Sequence, residues 1–273
     1  YHPVQKKSFN WLAYIFLSLS LVSLVIGVNQ LSKGLQNWRL WGLLILMVVL
    51  FILFVTISKR STRKLLDLKV FEDKAFVFGA FAYFLLQFIN IGVSFVLPNY
   101  IQIVNKQSSL IGGLVLLPGS IIAGLLNPYF GRLYDRLGAR VPLYGGAFLM
   151  AVGSFLLANW GLNLNTWMII CFYGILMLGH RMSFSNTMAQ SLKIVDNNLK
   201  SDATAVCQTA QQLAGSMGTA ILAAIIAIFQ NKHTAKYTTL TAQGSMAAFY
   251  FTFGLGILIL ICDWIMFKLS KEN

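Results

Sequence analysis

Charge is what this chain has least of. Only 11% of its 273 residues are Asp, Glu, Lys or Arg, where a soluble domain carries roughly 25%. That is too little polar surface for a fold that faces water. Acids are the scarcest: eight in all, at Asp67, Glu72, Asp73, Asp135, Asp196, Asp202, Asp263 and Glu272. Each falls in a loop or near a helix end. None is placed to carry a proton at the middle of a membrane, and no two are clustered for acid–base chemistry. The three cysteines, Cys171, Cys207 and Cys262, all sit in apolar runs, so they supply no disulfide framework. The chain has no H-E-x-x-H, no G-x-x-x-x-G-K-[ST] and no Cys/His ligand spacing. Nothing therefore points to an enzyme, a resident metal or a cofactor. No charged leader or cleavage site precedes the first apolar run, and the chain begins at Tyr1, as expected for a piece of a longer protein.

What the chain has in excess is apolar length. Hydrophobic residues make up 57% of it, and the mean hydropathy is +0.71. A spanning helix needs about 20 mostly apolar residues. Eight runs qualify: Phe9 to Gln30, Asn37 to Ser58, Ala75 to Val104, Leu110 to Phe130, Val141 to Trp160, Thr166 to Gln190, Ala203 to Phe229 and Ser245 to Lys268. Pro98 and Pro118 predict kinks in the third and fourth. The expected fold is an all-α integral membrane protein with eight transmembrane helices. A net charge of +13 would suit nucleic acid, but its distribution argues for a bilayer. Fifteen Lys and Arg fall on one side, at positions 6, 7, 59, 60, 63, 64, 69, 74, 132, 136, 140, 193, 200, 268 and 271; five fall on the other, at 33, 39, 106, 232 and 236. The positive-inside rule then puts both termini in the cytoplasm. Between Lys59 and Lys74, the residues Leu65, Leu66, Leu68, Val70 and Phe71 predict a short helix on the inner leaflet. We take this stretch as the boundary between residues 1–74 and 75–273.

One cytoplasmic segment is more specific than charge. Asn127-Pro-Tyr-Phe-Gly-Arg-Leu-Tyr-Asp-Arg-Leu-Gly-Ala-Arg140 joins two apolar runs. It reads as a compact turn. Gly131 and Gly138 let the chain leave one helix and enter the next. Asp135 is expected near the start of the following helix, facing its dipole, and Pro142 suits the first turn of that helix. The spacing of Gly131, Leu133, Asp135, Arg136, Gly138, Arg140 and Leu143 resembles the signature loop of the major facilitator superfamily, G-x-L-x-D-R-x-G-R-[KR]-x-x-L. Ala139 departs from it. Leu97-Pro-Asn-Tyr-Ile-Gln102, Gly113-Leu-Val-Leu-Leu-Pro-Gly119, Ala203-Thr-Ala205 and Gln211-Gln-Leu-Ala-Gly-Ser-Met-Gly-Thr-Ala220 resemble the fourteen-spanner drug:proton antiporter branch.

That resemblance implies the last eight spanners of such a transporter. They would form a central extra helix pair and a cytoplasmic amphipathic loop (1–74), then a C-terminal six-helix bundle built of 3+3 repeats, 75–160 and 166–269. It implies proton-coupled efflux of amphipathic small molecules across the cell membrane, driven by the proton gradient with no cofactor. The partners implied are lipid, substrate and an N-terminal six-helix bundle that this stretch does not contain. A switching role is implied for the signature residues Gly131, Arg132, Asp135, Arg136, Gly138 and Arg140. The sixth run departs most, with Gly179-His-Arg-Met-Ser-Phe-Ser185 in place of an apolar stretch with proline.

The residues themselves mark a candidate cavity. Tyr83, Gln87, Asn90 and Ser94 recur at i, i+4, i+7 and i+11, one face of a helix. The sixth run adds His180, Arg181, Ser183, Ser185 and Asn186, and the seventh Thr204, Gln208, Gln211 and Gln212. The fifth and eighth are nearly all apolar and suit lipid. We take Tyr83, Gln87, Asn90, Ser94, Arg181, Asn186, Gln208 and Gln212 as the candidate substrate residues. The bland alternative is helix–helix hydrogen bonding, worth about 1 kcal/mol per contact. Arg181 is the one charge well inside a span. It has three readings: snorkelling, an anionic substrate, or an acid in another part of the protein. Gly215 and Gly218 read as close-packing positions. The competing functional readings are a truncated, inactive transporter remnant and, with less support, a membrane enzyme.

Overall fold

A computed structural model describes residues 11–34, 36–60, 66–232 and 235–270. Ten α-helices make up almost all of it: α1 (Trp11–Asn29), α2 (Trp38–Arg60), α3 (Lys74–Ile103), α4 (Ser109–Leu114), α5 (Leu117–Leu125), α6 (Asn127–Leu137), α7 (Arg140–Asn159), α8 (Thr166–Ile194), α9 (Lys200–Gln230) and α10 (Tyr237–Leu269). Seven are long and apolar enough to cross a membrane, and α4 to α6 make an eighth span if taken together. Several starts are capped. Asp73 accepts from the Ala75 and Phe76 amides at α3, and Asn165 accepts from the Met168 amide at α8. These bonds satisfy N–H groups that the first turn leaves free.

The long helices pack α7 on α8, α3 on α9 and α10 on both α7 and α3. Backbones come close where glycines face each other. A methyl on Gly179 would lie 2.5 Å from the Gly146 carbonyl oxygen, and one on Gly218 would lie 2.5 Å from that of Phe88. Such contact is the main source of helix association where lipid is as apolar as the side chains. The Gly218 role expected from the sequence is therefore realised. Gly215 has only ordinary contact with Ile91. One buried core runs through α3, α7, α8, α9 and α10, with Leu86, Ile89, Val93, Met150, Leu176, Leu222, Phe249 and Ile259 among its residues. Outside it, Phe148, Phe155, Ile257, Ile261 and Trp264 are exposed on α7 and α10, the two helices expected to face lipid.

α1 and α2 pair with each other, and α1 also meets α9. The Ser20 hydroxyl donates to the Met47 carbonyl at 3.0 Å across the pair.

Two expectations change. The fourth run is not one helix kinked at Pro118: α4 ends at Leu114, Pro118 opens α5, and α6 departs at 42°. Pro98, by contrast, sits inside an uninterrupted α3. In the stretch from Lys59 to Lys74, residues 61–65 lie outside the described residues, as do Lys6, Lys7 and Lys271. The rest of that stretch holds a single 3₁₀ turn, Leu68–Phe71. Its Val70 is buried against Phe76, Ala80, Tyr83, Val195, Ala203 and Cys207, because the turn tucks into the bundle rather than lying on a leaflet.

Candidate functional site

The polar face of α3 meets α8 and α9. The Tyr83 hydroxyl donates to Gln211 Oε1 on α9 at 2.8 Å. Its ring stacks on Phe184 of α8 at 4.3 Å, and Phe184 stacks on His180 at 4.7 Å. One helical segment outward, Ser94 shares a hydrogen bond with the Tyr173 hydroxyl at 3.0 Å and donates to its own helix at Asn90. The Tyr83–Phe184 and Ser94–Tyr173 contacts between α3 and α8 belong to one antiparallel register. That register sets Gln87 level with His180, near the middle of both helices.

At this level the polar atoms lack partners. Gln87 Oε1, Asn90 Oδ1, both ring nitrogens of His180 and Arg181 Nε are buried without a hydrogen bond. Unpaired buried polar groups cost roughly 1–3 kcal/mol each. A cluster of them at mid-depth is a place where water or a ligand has groups to bind. The sequence placed Tyr83, Gln87, Asn90, Ser94 and Arg181 on one surface; the structure ties Tyr83 and Ser94 to α8 and α9 and leaves Gln87 and Asn90 between them without partners. It does not bring all the candidates there. The Asn186 amide donates to the carbonyls of Met182 at 2.8 Å and Phe130 at 3.3 Å, so it braces α6 against α8. Gln208 is exposed, and Gln212 lines a groove against Leu21, Val22, Val25 and Ile26 of α1. On α9 it is Gln211, one residue away, that turns toward α3. Sequence reading passed over Phe184 and Tyr173, since an aromatic in an apolar run carries no polarity signal of its own.

The signature segment is a helix, not a turn. Pro128 stands in the first turn of α6, and Gly138 stops it with φ 80° and ψ 171°. Only the second of the two glycines adopts a conformation L side chains avoid. Gly131 is helical, with open space around it. The helix is amphipathic: Phe130 and Tyr134 are buried, while Arg132, Asp135 and Arg136 are exposed. Asp135 therefore lies in the last turn of α6 and not at the start of α7, whose cap is Ala139 with no side-chain bond. Among the described residues no ion pair joins Asp135 to Arg136 or Arg140. Tyr134 does the anchoring. Its hydroxyl donates to Gln190 of α8 at 2.9 Å, and Lys193 Nζ sits 4.5 Å from its ring centroid. Arg140 opens α7 and lies over the Phe267 ring of α10 at 5.5 Å. Pro142 is in the first turn of α7, as its ring demands.

Comparison with known proteins matches this arrangement. The profile of the Major Facilitator Superfamily covers residues 4–219. The lincomycin resistance protein LmrB of Listeria monocytogenes is 31% identical over 182 residues, 67% of this chain and 38% of that protein. The quinolone resistance protein NorB of Staphylococcus aureus is 27% identical over 219 residues, 80% of this chain and 45% of its own length. The probable transport protein HsrA of Haemophilus influenzae is 25% identical over 273 residues, 98% of this chain and 57% of that protein. The chain thus spans less than two thirds of each of these relatives. These family matches point to a transporter rather than an enzyme. With membrane-length helices packed through facing glycines, a polar face at mid-depth and the signature helix at one end, the chain belongs to the major facilitator superfamily.

Proposed function

We propose that the chain is the C-terminal part of a fourteen-spanner drug:proton antiporter that exports amphipathic small molecules. Residues 1–74 would be its central extra helix pair, and residues 75–273 its C-terminal six-helix bundle. A further six-helix bundle would complete the substrate site. Energy would come from the proton gradient, with no cofactor, at the cell membrane with both termini in the cytoplasm. The observation that carries this reading is the mid-depth group of unpaired polar atoms on Gln87, Asn90, His180 and Arg181. Alternating-access transporters bind substrate at this depth between their halves. The relatives, resistance proteins for lincomycin and for quinolones, supply the substrate class to try first.

The test is drug susceptibility of cells expressing the full-length transporter, with lincomycin, a quinolone and a fluorescent amphipathic cation. Export of one or more of them, abolished by dissipating the proton gradient, is expected. Unchanged susceptibility and no efflux at verified membrane abundance would reject the reading.

A further inference from the structure

Among the described acids, Asp263 alone has no exposure at all. Its relative exposure is 0%, and neither carboxyl oxygen has a hydrogen-bond partner. It lies six residues before the end of α10, on the turn above Met266 and Phe267. By position in sequence it is a helix-end acid that should reach the headgroups. The fold instead turns it inward. The outward face of the same turns holds Trp264, with Lys268 stacked over its ring at 5.5 Å.

The surroundings of Asp263 can be named helix by helix. α7 supplies Tyr144, which is within electrostatic range of both Asp263 and Arg140. Arg140 itself rests on Phe267, one helical turn beyond Asp263 on the same face of α10, a rise of about 5–6 Å. From α3, the turn packed against Met266 holds Ala75, Phe78 and Gly79, none of them titratable, and Lys74 is exposed. From α8 come Ser191, beside Gly79, and Ile194, while Lys193 leans on Tyr134 instead. On α9, Cys207 is buried against α3. α10 adds the adjacent Cys262, which is also buried. Arg140 is the cation that the α7 side offers, and in this conformation it is parked on an aromatic ring rather than on the carboxylate.

A charged carboxylate with neither water nor partner is costly inside a membrane protein. Two arrangements avoid that cost: a proton on the carboxyl group, or a charge balanced by Arg140 once its guanidinium moves one turn along α10. We propose that Asp263 is a proton-binding residue, and that it alternates between these two arrangements during transport. The carboxyl gives its proton to cytoplasmic water when the α7–α10 contact opens, and the resulting carboxylate pairs with Arg140. Reclosure comes when a proton from water returns to the carboxylate and Arg140 goes back to Phe267. This joins the signature helix, whose C-terminal neighbour is Arg140, to a proton site within this same chain. The coupling of that proton to export rests on the antiporter reading; the binding of the proton does not.

The test uses the full-length transporter in proteoliposomes, with two readouts. The first is the infrared difference spectrum between acidic and alkaline buffer. A carboxyl carbonyl band present at low pH should be lost in Asp263→Asn and shifted in Asp263→Glu. The second is substrate efflux with and without an imposed pH gradient. The gradient should accelerate efflux several-fold in the parent, and that acceleration should be lost in Asp263→Asn. Band and acceleration both lost supports the proposal. An unchanged band in both variants overturns it. A lost band with acceleration intact overturns the coupled role. If Asp263→Asn fails to fold, judged by circular dichroism, Asp263→Glu decides: a shifted band supports the proposal and an unshifted one overturns it. If the parent itself ignores the pH gradient, the antiporter reading falls, and the band alone still decides whether Asp263 binds a proton.

Discussion

Gln87 and Asn90 show how a single polar side chain in an apolar helix can be read two ways. Spacing put both on one face of α3, and spacing cannot tell a cavity from a hydrogen-bonded seam. The two carbonyl oxygens are buried and unpaired, which a satisfied seam would not leave. We expect Gln87→Ala and Asn90→Ala to change the substrate profile of the full-length transporter while membrane abundance stays near that of the parent. Susceptibility to a panel of compounds, normalised to abundance by immunoblot, checks this; lower abundance with an unchanged profile would mean packing. Asp135 is the second case. It is exposed and makes no ion pair among the described residues, so its carboxylate is available to a contact formed in the other access state. A contact made in one state only shifts the populations by its own energy, about 1–2 kcal/mol or roughly 5–30-fold. Asp135→Asn should slow turnover and leave affinity nearly unchanged. Equal transport rates for variant and parent, at equal abundance, would reduce it to a topological charge.

Helices and their contacts depend on features that local patterns carry unevenly. The eight apolar runs were legible because membrane length is written directly in composition. The helical state of Asn127–Leu137 was not, because the glycine at 131 looks like a break. Pro128 and the four-residue spacing of Phe130 and Tyr134 supply the missing signal, and burial of those two rings holds the segment as a helix. The α7–α8 seam offers a direct test of close packing. A methyl at Gly179 would lie 2.5 Å from the Gly146 carbonyl and 2.6 Å from the Met150 amide nitrogen. Overpacking of this kind costs roughly 1–3 kcal/mol, so Gly179→Ala should lower the thermal midpoint of the purified protein. A methyl at Gly124, on α5, would meet nothing within 4 Å. Gly124→Ala should be neutral or stabilising, by up to about 1 kcal/mol of helix propensity. Equal midpoints for the two variants would show that the seam is looser than these distances imply.

Across the whole molecule, the bias of fifteen basic residues against five predicts the orientation. Single cysteines at Asn163 and Thr238 should react with an impermeant thiol reagent from outside intact cells. Cysteines at Asp67 and Asn197 should react only after the membrane is opened. Labelling at Asn197 from outside would overturn the orientation. The helix pair adds a feature that no motif announced. Between α1, α2 and α9 lies an apolar cavity of about 350 Å³, bordered by Leu17, Leu21, Phe54, Val206, Thr209 and Leu213. The pair therefore rests on α9 without closing fully against it. Gln212 faces the adjoining groove for the same reason, and this is why the polar residues of α9 divide between two surfaces.

The sequence by itself determined that this chain lives in a bilayer, where its apolar runs lie, and which family signature sits between the fourth and fifth runs. Those properties are sums over local composition and spacing, and no distant contact can change them. Which glutamine of the pair 211 and 212 meets Tyr83 was decided only by the tertiary structure. So was the brace that Asn186 forms on Phe130, and so was the burial of Asp263. A residue's angular position on its helix has no meaning until a neighbouring helix fixes which direction is inside. For Asp263, that neighbour turns a headgroup acid into a carboxyl shut away from water.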